Sequence, residues 1–499
     1  MSSNIFSLKL ILGKAAKSSV ALTLLLLLLG SGLGVVAAYL VVSGDWQIAL
    51  ILIACIPGLV LLHKYPFFAI IIWLVLTPFL LHTNTEAQRG VYWIIHRGVP
   101  PLTIGIILVS SALHIQRRNL PRLSLAELAM AGYMGVSLLS IYFQNEDPRA
   151  TTYLFYDRVI IPMCLYLIIR LSIANEKQMM WLIPVALFTS LSQSIIGVLS
   201  WFAPRMLPVD WLSGEAGRTV GSLVNTSVYT VTLVFFGLLI LHDALNLRAG
   251  SFRLLLIFSF LLSAYSVFIS FSRASWLAGI LISLGLVYLY PKFMLKISLI
   301  VLPLLVGLLG LIFTSQIQWA RERLYSAEAE RSALSRLPVM YAAYRMFEAK
   351  PFFGWGYGNF DLYDRPFQGR VAELSNDNKD HASHNLYLTV IAEQGLIGLA
   401  LFIGPVVWLL VKSVRRLPQL PESGFWNRKL LIILWLVIIS HIVVNNFANM
   451  RVVFGLGMWW ITLGFIANLV YDPQWSAGRI TINPKAKALL KDHLPSILQ

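Results

Sequence analysis

Two histidines, His381 and His384, stand where the only long polar segment of the chain, residues 315–385, gives way to an apolar run. Imidazole changes protonation near neutral pH, and its neutral form accepts a proton from an attacking hydroxyl. A histidine at a boundary between water and lipid is therefore a candidate general base. The alternative is structural, with His384 capping or packing the mouth of the next helix. Asn385 comes next, and Glu393, Gly395 and Gly398 lie further along the run. Glu393 is nine residues beyond His384, roughly 13 Å along a helix. It cannot orient that ring, and is expected to face a polar interior or pair with another buried group.

Two arginines can serve a phosphate. Arg218 opens an apolar run between Gly217 and Gly221, with Asn225 following inside the run. Arg273 sits in a tight turn between two runs, bracketed by Ser270, Ser272 and Ser275. Guanidinium groups present forked donors that match phosphate or diphosphate oxygens. The alternative for Arg218 is an interfacial side chain reaching toward headgroups. Arg158, at the start of another run and after Glu146, Asp147, Arg149 and Asp157, is a further candidate against the simpler reading of a solvated turn. Spacing does not say whether Arg218, Arg273 and His384 meet. Glu373, Asp377 and Asp380 lack the spacing of a metal site. Cys55 and Cys164 both fall inside apolar runs, which suggests packed thiols with neither a disulfide framework nor zinc spacing. Neither a metal nor a cofactor is expected.

The elements that must position these residues follow from composition. The chain is 58% hydrophobic and 12% charged, with many apolar runs of the length that crosses a bilayer. Lipid offers no hydrogen bonds, so such runs must form helices or a closed barrel. They lack strict alternation, which leaves helices. The expected fold is all-α, a polytopic transmembrane helix bundle of about 12–14 spans with one large external loop between late spans. Spans are placed near 19–43, 46–62, 65–81, 99–115, 124–143, 159–173, 179–203, 221–241, 254–271, 274–290, 297–314, 386–411, 430–447 and 452–471. The chain then divides into an N-terminal bundle (1–314), the loop (315–385), C-terminal spans (386–471) and a basic tail (472–499).

Orientation comes from lysine and arginine in the connections. Lys9, Lys14, Lys17, Lys64, Arg117, Arg118, Lys177, Lys412, Arg415 and Arg416 gather on one side, which places both termini in the cytoplasm and the loop outside. The net charge of +16 is thus an orientation device and requires no nucleic-acid partner. The first leucine run continues to Val42, too long for a cleaved leader, and reads as a retained span.

Within the loop, residues 338–350 have helical spacing, with Tyr341, Tyr344 and Phe347 as the apolar face of a short amphipathic helix expected to rest on the membrane surface or the span bundle. The glycine-rich run Gly354-Trp-Gly-Tyr-Gly-Asn359 must turn, and its dense aromatic neighbours read mainly as an interfacial belt. His441, Asn445, Asn446 and Asn449 form a polar stripe near the end. No internal repeat is visible, unlike many secondary transporters.

His384-Asn385-x-Tyr387-Leu388 followed by Glu393-x-Gly395-x-x-Gly398 resembles the signature of the O-antigen ligase and polymerase superfamily of bacterial membrane glycosyltransferases. Three further pieces agree in order: Gly217-Arg218-Thr-Val-Gly221 with Asn225, Ser272-Arg273-Ala-Ser-Trp276, and Pro351-Phe-Phe-Gly354-Trp-Gly356-Tyr-Gly358. The resemblance covers roughly residues 210–410. It implies an inverting, metal-independent enzyme of the bacterial cytoplasmic (inner) membrane, acting at the periplasmic face in surface polysaccharide or lipopolysaccharide synthesis. The glycan would pass from a polyprenyl (undecaprenyl) diphosphate carrier to an acceptor hydroxyl, with Arg218 and Arg273 on the diphosphate and His384 as general base. Asn385, Glu393, Asn225, His381 and Arg158 would support them. The chain departs from the family pattern at Thr226, where a proline is usual, and in carrying the second histidine His381. A ligase, with a lipid A-core acceptor, is the adopted reading. A polymerase of lipid-linked repeats and a lipid-linked oligosaccharide flippase are the alternatives. A flippase needs polar groups through the whole bundle, whereas here they cluster at one face.

Overall fold

A computed structural model describes residues 35–36, 39, 42–43, 57–82, 85–113, 120–172, 176–212, 218–223, 225–247, 250–301, 303, 307, 314–374, 383–448 and 451–471. The expectations for most of the first two spans, for the tail and for His381 fall outside those residues. Residues 1–68 and 69–499 are separate units. The first contains the helix Pro57–Lys64, and the second contains the long helices and the loop.

Every element among the described residues is helical. Eight of the described helices are long and apolar enough to cross a membrane, or up to ten if bent pairs count as spans. The long helices before the loop are α1 (Glu86–Ala112), α2 (Leu125–Gln144), α4 (Leu182–Phe202), α5 (Thr226–Asn246) and α6 (Ser251–Phe268). The shorter α3 (Ile161–Ser172) precedes α4, and α7 (Arg273–Leu289) follows α6. The loop carries α8 (Thr314–Tyr325), α9 (Ala327–Leu334), α10 (Leu337–Ala349) and α11 (Phe360–Gln368). The chain then continues through α12 (Leu386–Arg416), α13 (Arg428–Asn445) and α14 (Val453–Tyr471).

Helices α5 and α14 are apolar on all sides and are buried on all sides, as expected of a helix enclosed by others. Helix α5 lies against α4, α6 and α13; α14 lies against α3, α12 and α13. An apolar helix gains nothing from leaving lipid for another apolar helix, so association rests on close packing and hydrogen bonds between helices. Ser190 on α4 meets Ser263 on α6 at 2.5 Å, and Thr230 on α5 meets Ser275 on α7 at 2.6 Å.

The face that the loop helix α10 sets against the span bundle is not its aromatic one. Val339, Ala342, Ala343 and Met346 are buried, whereas Tyr341 and Tyr344 are 42% and 51% exposed. The small residues win because they let α10 approach α12 closely. The aromatic run likewise departs from a simple belt. Phe360 joins Val339, Ala343, Met346 and Ala392 in a core that Trp355, Tyr363 and Phe367 cover. Phe352 and Phe353, by contrast, project outward.

The span expected at 386–411 is present and carries a break. Gly395 has φ 64° and ψ −165°, and the helix changes direction there. A break leaves N–H and C=O groups that lipid cannot satisfy, and the loop backbone satisfies them. Trp355 N–H donates to Ala392 O (3.1 Å) and Gly356 N–H to Glu393 O (2.7 Å). In return Leu396 N–H donates to Pro351 O (2.8 Å) and Ile397 N–H to Phe352 O (3.3 Å). The two backbones are so close that only glycines fit: a Cβ on Gly354 would lie 2.4 Å from the Glu393 carbonyl, and one on Gly395 2.3 Å from that of Phe352. Gly395→Ala is therefore expected to cost at least about 1–3 kcal/mol from its dihedrals alone. Thermal unfolding of the detergent-purified variant checks this, and an unchanged midpoint would refute it.

Candidate active site

Four helix starts converge on one cavity of about 710 Å³. Helix α5 is capped by Asn225, whose side chain accepts from Ser227 N–H at 2.7 Å. Helix α7 is capped by Ser272, with Arg273 as its first residue. Helix α12 is capped by Asn385, which accepts from the N–H groups of Tyr387 and Leu388, both at 3.0 Å. Helix α10 follows directly on Arg336. Asn225, Ser272, Arg273, Arg336 and His384 all line the cavity, as do Arg218 and Arg323. A helix N-terminus carries partial positive charge and directs N–H groups outward. Among the described residues the lining holds four arginines and no carboxylate.

His384 is presented in a constrained conformation. Its φ is 51°, and it shares positive φ with only one other non-glycine among the described residues, Phe271, which immediately precedes Ser272 and Arg273. Such a conformation costs about 1–3 kcal/mol and persists only where the surroundings enforce it. Here Ser383 Oγ donates to Asn385 O (2.7 Å) and accepts from Asn385 N–H (3.2 Å), and Ser383 also bonds Thr389. Asn385 Nδ2 donates to Asn446 O at 3.2 Å, tying the turn to the end of α13.

The structure thus brings Arg218, Arg273, His384 and Asn225 to one cavity, with Asn385 behind the histidine. Asn225 is not inside a span as expected, because α5 begins only at Thr226 and residues before it form an irregular entry. Glu393 and Arg158 lie elsewhere. The Glu393 carboxylate is gripped by Arg451 through two bonds of 2.8 and 2.5 Å. Burial alone would depress the Arg451 pKa, but the charge of Glu393 and its hydrogen bonds push it up. Arg158 faces a small pocket with Tyr133, Tyr357 and Arg451, away from the cavity. Its chain neighbour Asp157 is held by Arg97 at 2.7 and 2.6 Å. The segment Tyr156–Ile160 is a widened helical turn. Among the described residues no group of His, Cys, Asp and Glu has the makings of a metal site.

Sequence reasoning missed Arg323 and Arg336, and it placed Asn446 in a polar stripe without joining it to the cavity. Nothing in the charged run 321–336 separates Arg323 and Arg336 from Arg321 and Arg331, which are exposed.

Residues 258–403 match the family model described as O-antigen ligase. The match opens within α6 and closes within α12, so it contains Arg273, Arg323, Arg336, His384 and Glu393 but neither Arg218 nor Arg451. No curated protein matches the chain. The match supports a ligase- or polymerase-type function in the general sense. The chain is a multi-pass helical membrane protein with a stretch similar to the O-antigen ligase family.

Proposed function

We propose that the chain is a membrane glycosyltransferase of the ligase type. It moves a glycan from a polyprenyl diphosphate carrier, undecaprenyl diphosphate in bacteria, to an acceptor hydroxyl at the outer face of the cytoplasmic membrane. The observation that carries this reading is the meeting of His384 with Arg218 and Arg273 on one cavity whose described lining has no carboxylate. His384 takes the proton of the acceptor hydroxyl as that oxygen attacks the anomeric carbon. The bond from that carbon to the carrier's phosphate oxygen breaks, and the electron pair leaves with the diphosphate. Attack opposite the leaving group inverts the anomeric centre. Arg218 and Arg273 meet the charge that grows on the departing diphosphate, a form of electrostatic stabilisation that needs no reorganisation at the moment of reaction. Transfer is expected to continue with chelator present. The test is glycan transfer by purified protein given undecaprenyl-diphosphate glycan and candidate acceptors, lipid A-core among them. Absence of transfer to any acceptor would remove the reading.

Lysine offers a point charge without the planar fork of arginine. Arg273→Lys is therefore expected to lose about ten- to a hundredfold in transfer, the equivalent of one charge-assisted hydrogen bond of about 1.5–3 kcal/mol. The amount of protein in the membrane should stay near wild type. Wild-type turnover in this variant would reduce Arg273 to an interfacial anchor.

A further inference from the structure

Helix α5 joins two cavities. At its start Asn225 and Thr226 line the active-site cavity. After 21 residues, about 30 Å along its axis, it reaches the opposite face, the cytoplasmic one in the expected orientation. There Asp243 stands in the last turn with 5% of its surface exposed. Among the described residues no donor bonds its carboxylate and no charge acts on it. An ionisable side chain in a span is costly and ordinarily has a partner.

Asp243 lines the second cavity, of about 460 Å³, with Asn246 and Leu247 of α5, Met180 ahead of α4, and Ser423 to Phe425 between α12 and α13. Hydrogen bonds hold its walls in place. His242 Nε2–H donates to Phe425 O at 2.8 Å, and its Nδ1 accepts from Tyr290 Oη at 2.7 Å. Asn427 Nδ2 donates to Gly424 O at 2.6 Å. Asn246 Nδ2 donates to His242 O at 2.8 Å, which fixes the amide and leaves its Oδ1 as a further acceptor. Among the described residues the lining holds this one carboxylate and no lysine, arginine or histidine. The end of α5 adds the partial negative charge of a helix C-terminus.

Hard divalent cations take about six or more oxygens, more than the side chains of Asp243, Asn246 and Ser423 supply. The volume is that of a small-molecule site, and Met180, Leu247 and Phe425 offer apolar surface to a methylene stem. We propose that this cavity binds a primary ammonium or guanidinium group on a short aliphatic stem, with Asp243 as its counter-charge. Free alkylamines carry such a group, as do the lysine and arginine side chains of a protein partner. None of the lining residues takes part in the glycosyl transfer proposed above.

The test is equilibrium binding to the purified full chain in phosphatidylcholine nanodiscs. The probes are n-butylamine with n-butanol as its neutral counterpart, and Nα-acetyl-lysine amide with Nα-acetyl-norleucine amide as its counterpart. At least one cationic probe is expected to bind about tenfold more tightly than its counterpart, the effect of one charge-assisted hydrogen bond. Either suffices, and the tighter of the two tells a free amine from a basic side chain as the source. D243N keeps the shape without the charge and should bring the preference to within about twofold, while D243E retains part of it. S423K, at an exposed position, supplies an ammonium from the cavity's own rim and should weaken cationic binding about tenfold. That variant decides the matter even where D243N fails to accumulate. Equal binding of charged and neutral probes by wild-type protein overturns the proposal, since Asp243 would then simply hold a proton. A preference that survives in D243N, or undiminished binding in S423K, overturns it as well. So does displacement of the cationic probes by magnesium ions as effectively as by excess butylamine, which would mark a metal site instead.

Discussion

Replacing His384 is expected to slow glycan transfer by about 10²–10⁴-fold, the usual contribution of a general base, while donor binding survives. Asparagine is the most informative substitute. His384 holds φ 51°, and asparagine adopts that left-handed region more readily than most residues. His384→Asn therefore removes the base without adding backbone strain, and the protein should reach the membrane at its normal level. Donor binding should persist because Arg218 and Arg273, not the imidazole, face the diphosphate in this scheme. His381→Ala should keep much of the wild-type turnover. With His384 intact, turnover should fall on acidification, since a protonated ring accepts nothing. Donor binding and transfer measured together on the two variants decide the matter. Near-normal transfer by His384→Asn would end the base mechanism, and loss only in His381→Ala would move the role to the other histidine.

The second large effect concerns stability. Glu393 is 1% exposed and its Arg451 partner 12%, so removing one leaves the other's charge buried and uncompensated. Breaking such a pair typically costs about 3–5 kcal/mol, a large share of the roughly 5–15 kcal/mol that holds an ordinary domain together. Glu393→Ala should therefore reduce protein level and lower the unfolding midpoint of what remains. The double replacement Glu393→Leu with Arg451→Met should cost clearly less than the single one, because no charge is then stranded. Equal losses in the single and double variants would show that the pair acts through packing and not through charge. This effect differs in kind from that of His384: stability and activity fall together here, whereas there only activity falls.

Much of the site was legible because His384, Arg218 and Arg273 are costly residue types at the ends of apolar runs. Such placements need a reason that can be argued locally. Long-range partners could not be found in this way. Arg451 lies 58 residues from Glu393, and no periodicity links them. The break at Gly395 was hidden because the run on both sides stays apolar, as a continuous span would. Hydropathy weighs side chains, while the break is stabilised by the loop's backbone. The face of α10 that packs on the bundle was not legible for a related reason. Tyr341 and Tyr344 carry more apolar surface than Ala342 and Ala343, but close approach selects the smaller pair. Arg158 was over-weighted since its position at a span entry matched that of Arg218, and only the packing of Arg451 and Tyr357 around it tells the two apart.

The exchange of backbone hydrogen bonds between residues 351–356 and 392–397 also fixes where this chain can be recombined with a relative. A graft that imports α8 to α10 and rejoins the host before Pro351 keeps both partners of that exchange from one parent. A junction placed between α11 and α12 takes the turn from one parent and the broken helix from the other. Gly354 must then face a foreign carbonyl at a separation that tolerates no added methyl group. The loop helices α8 to α10 are thus transplantable cargo, whereas the glycine turn and the helix it mends must travel as a single inheritance.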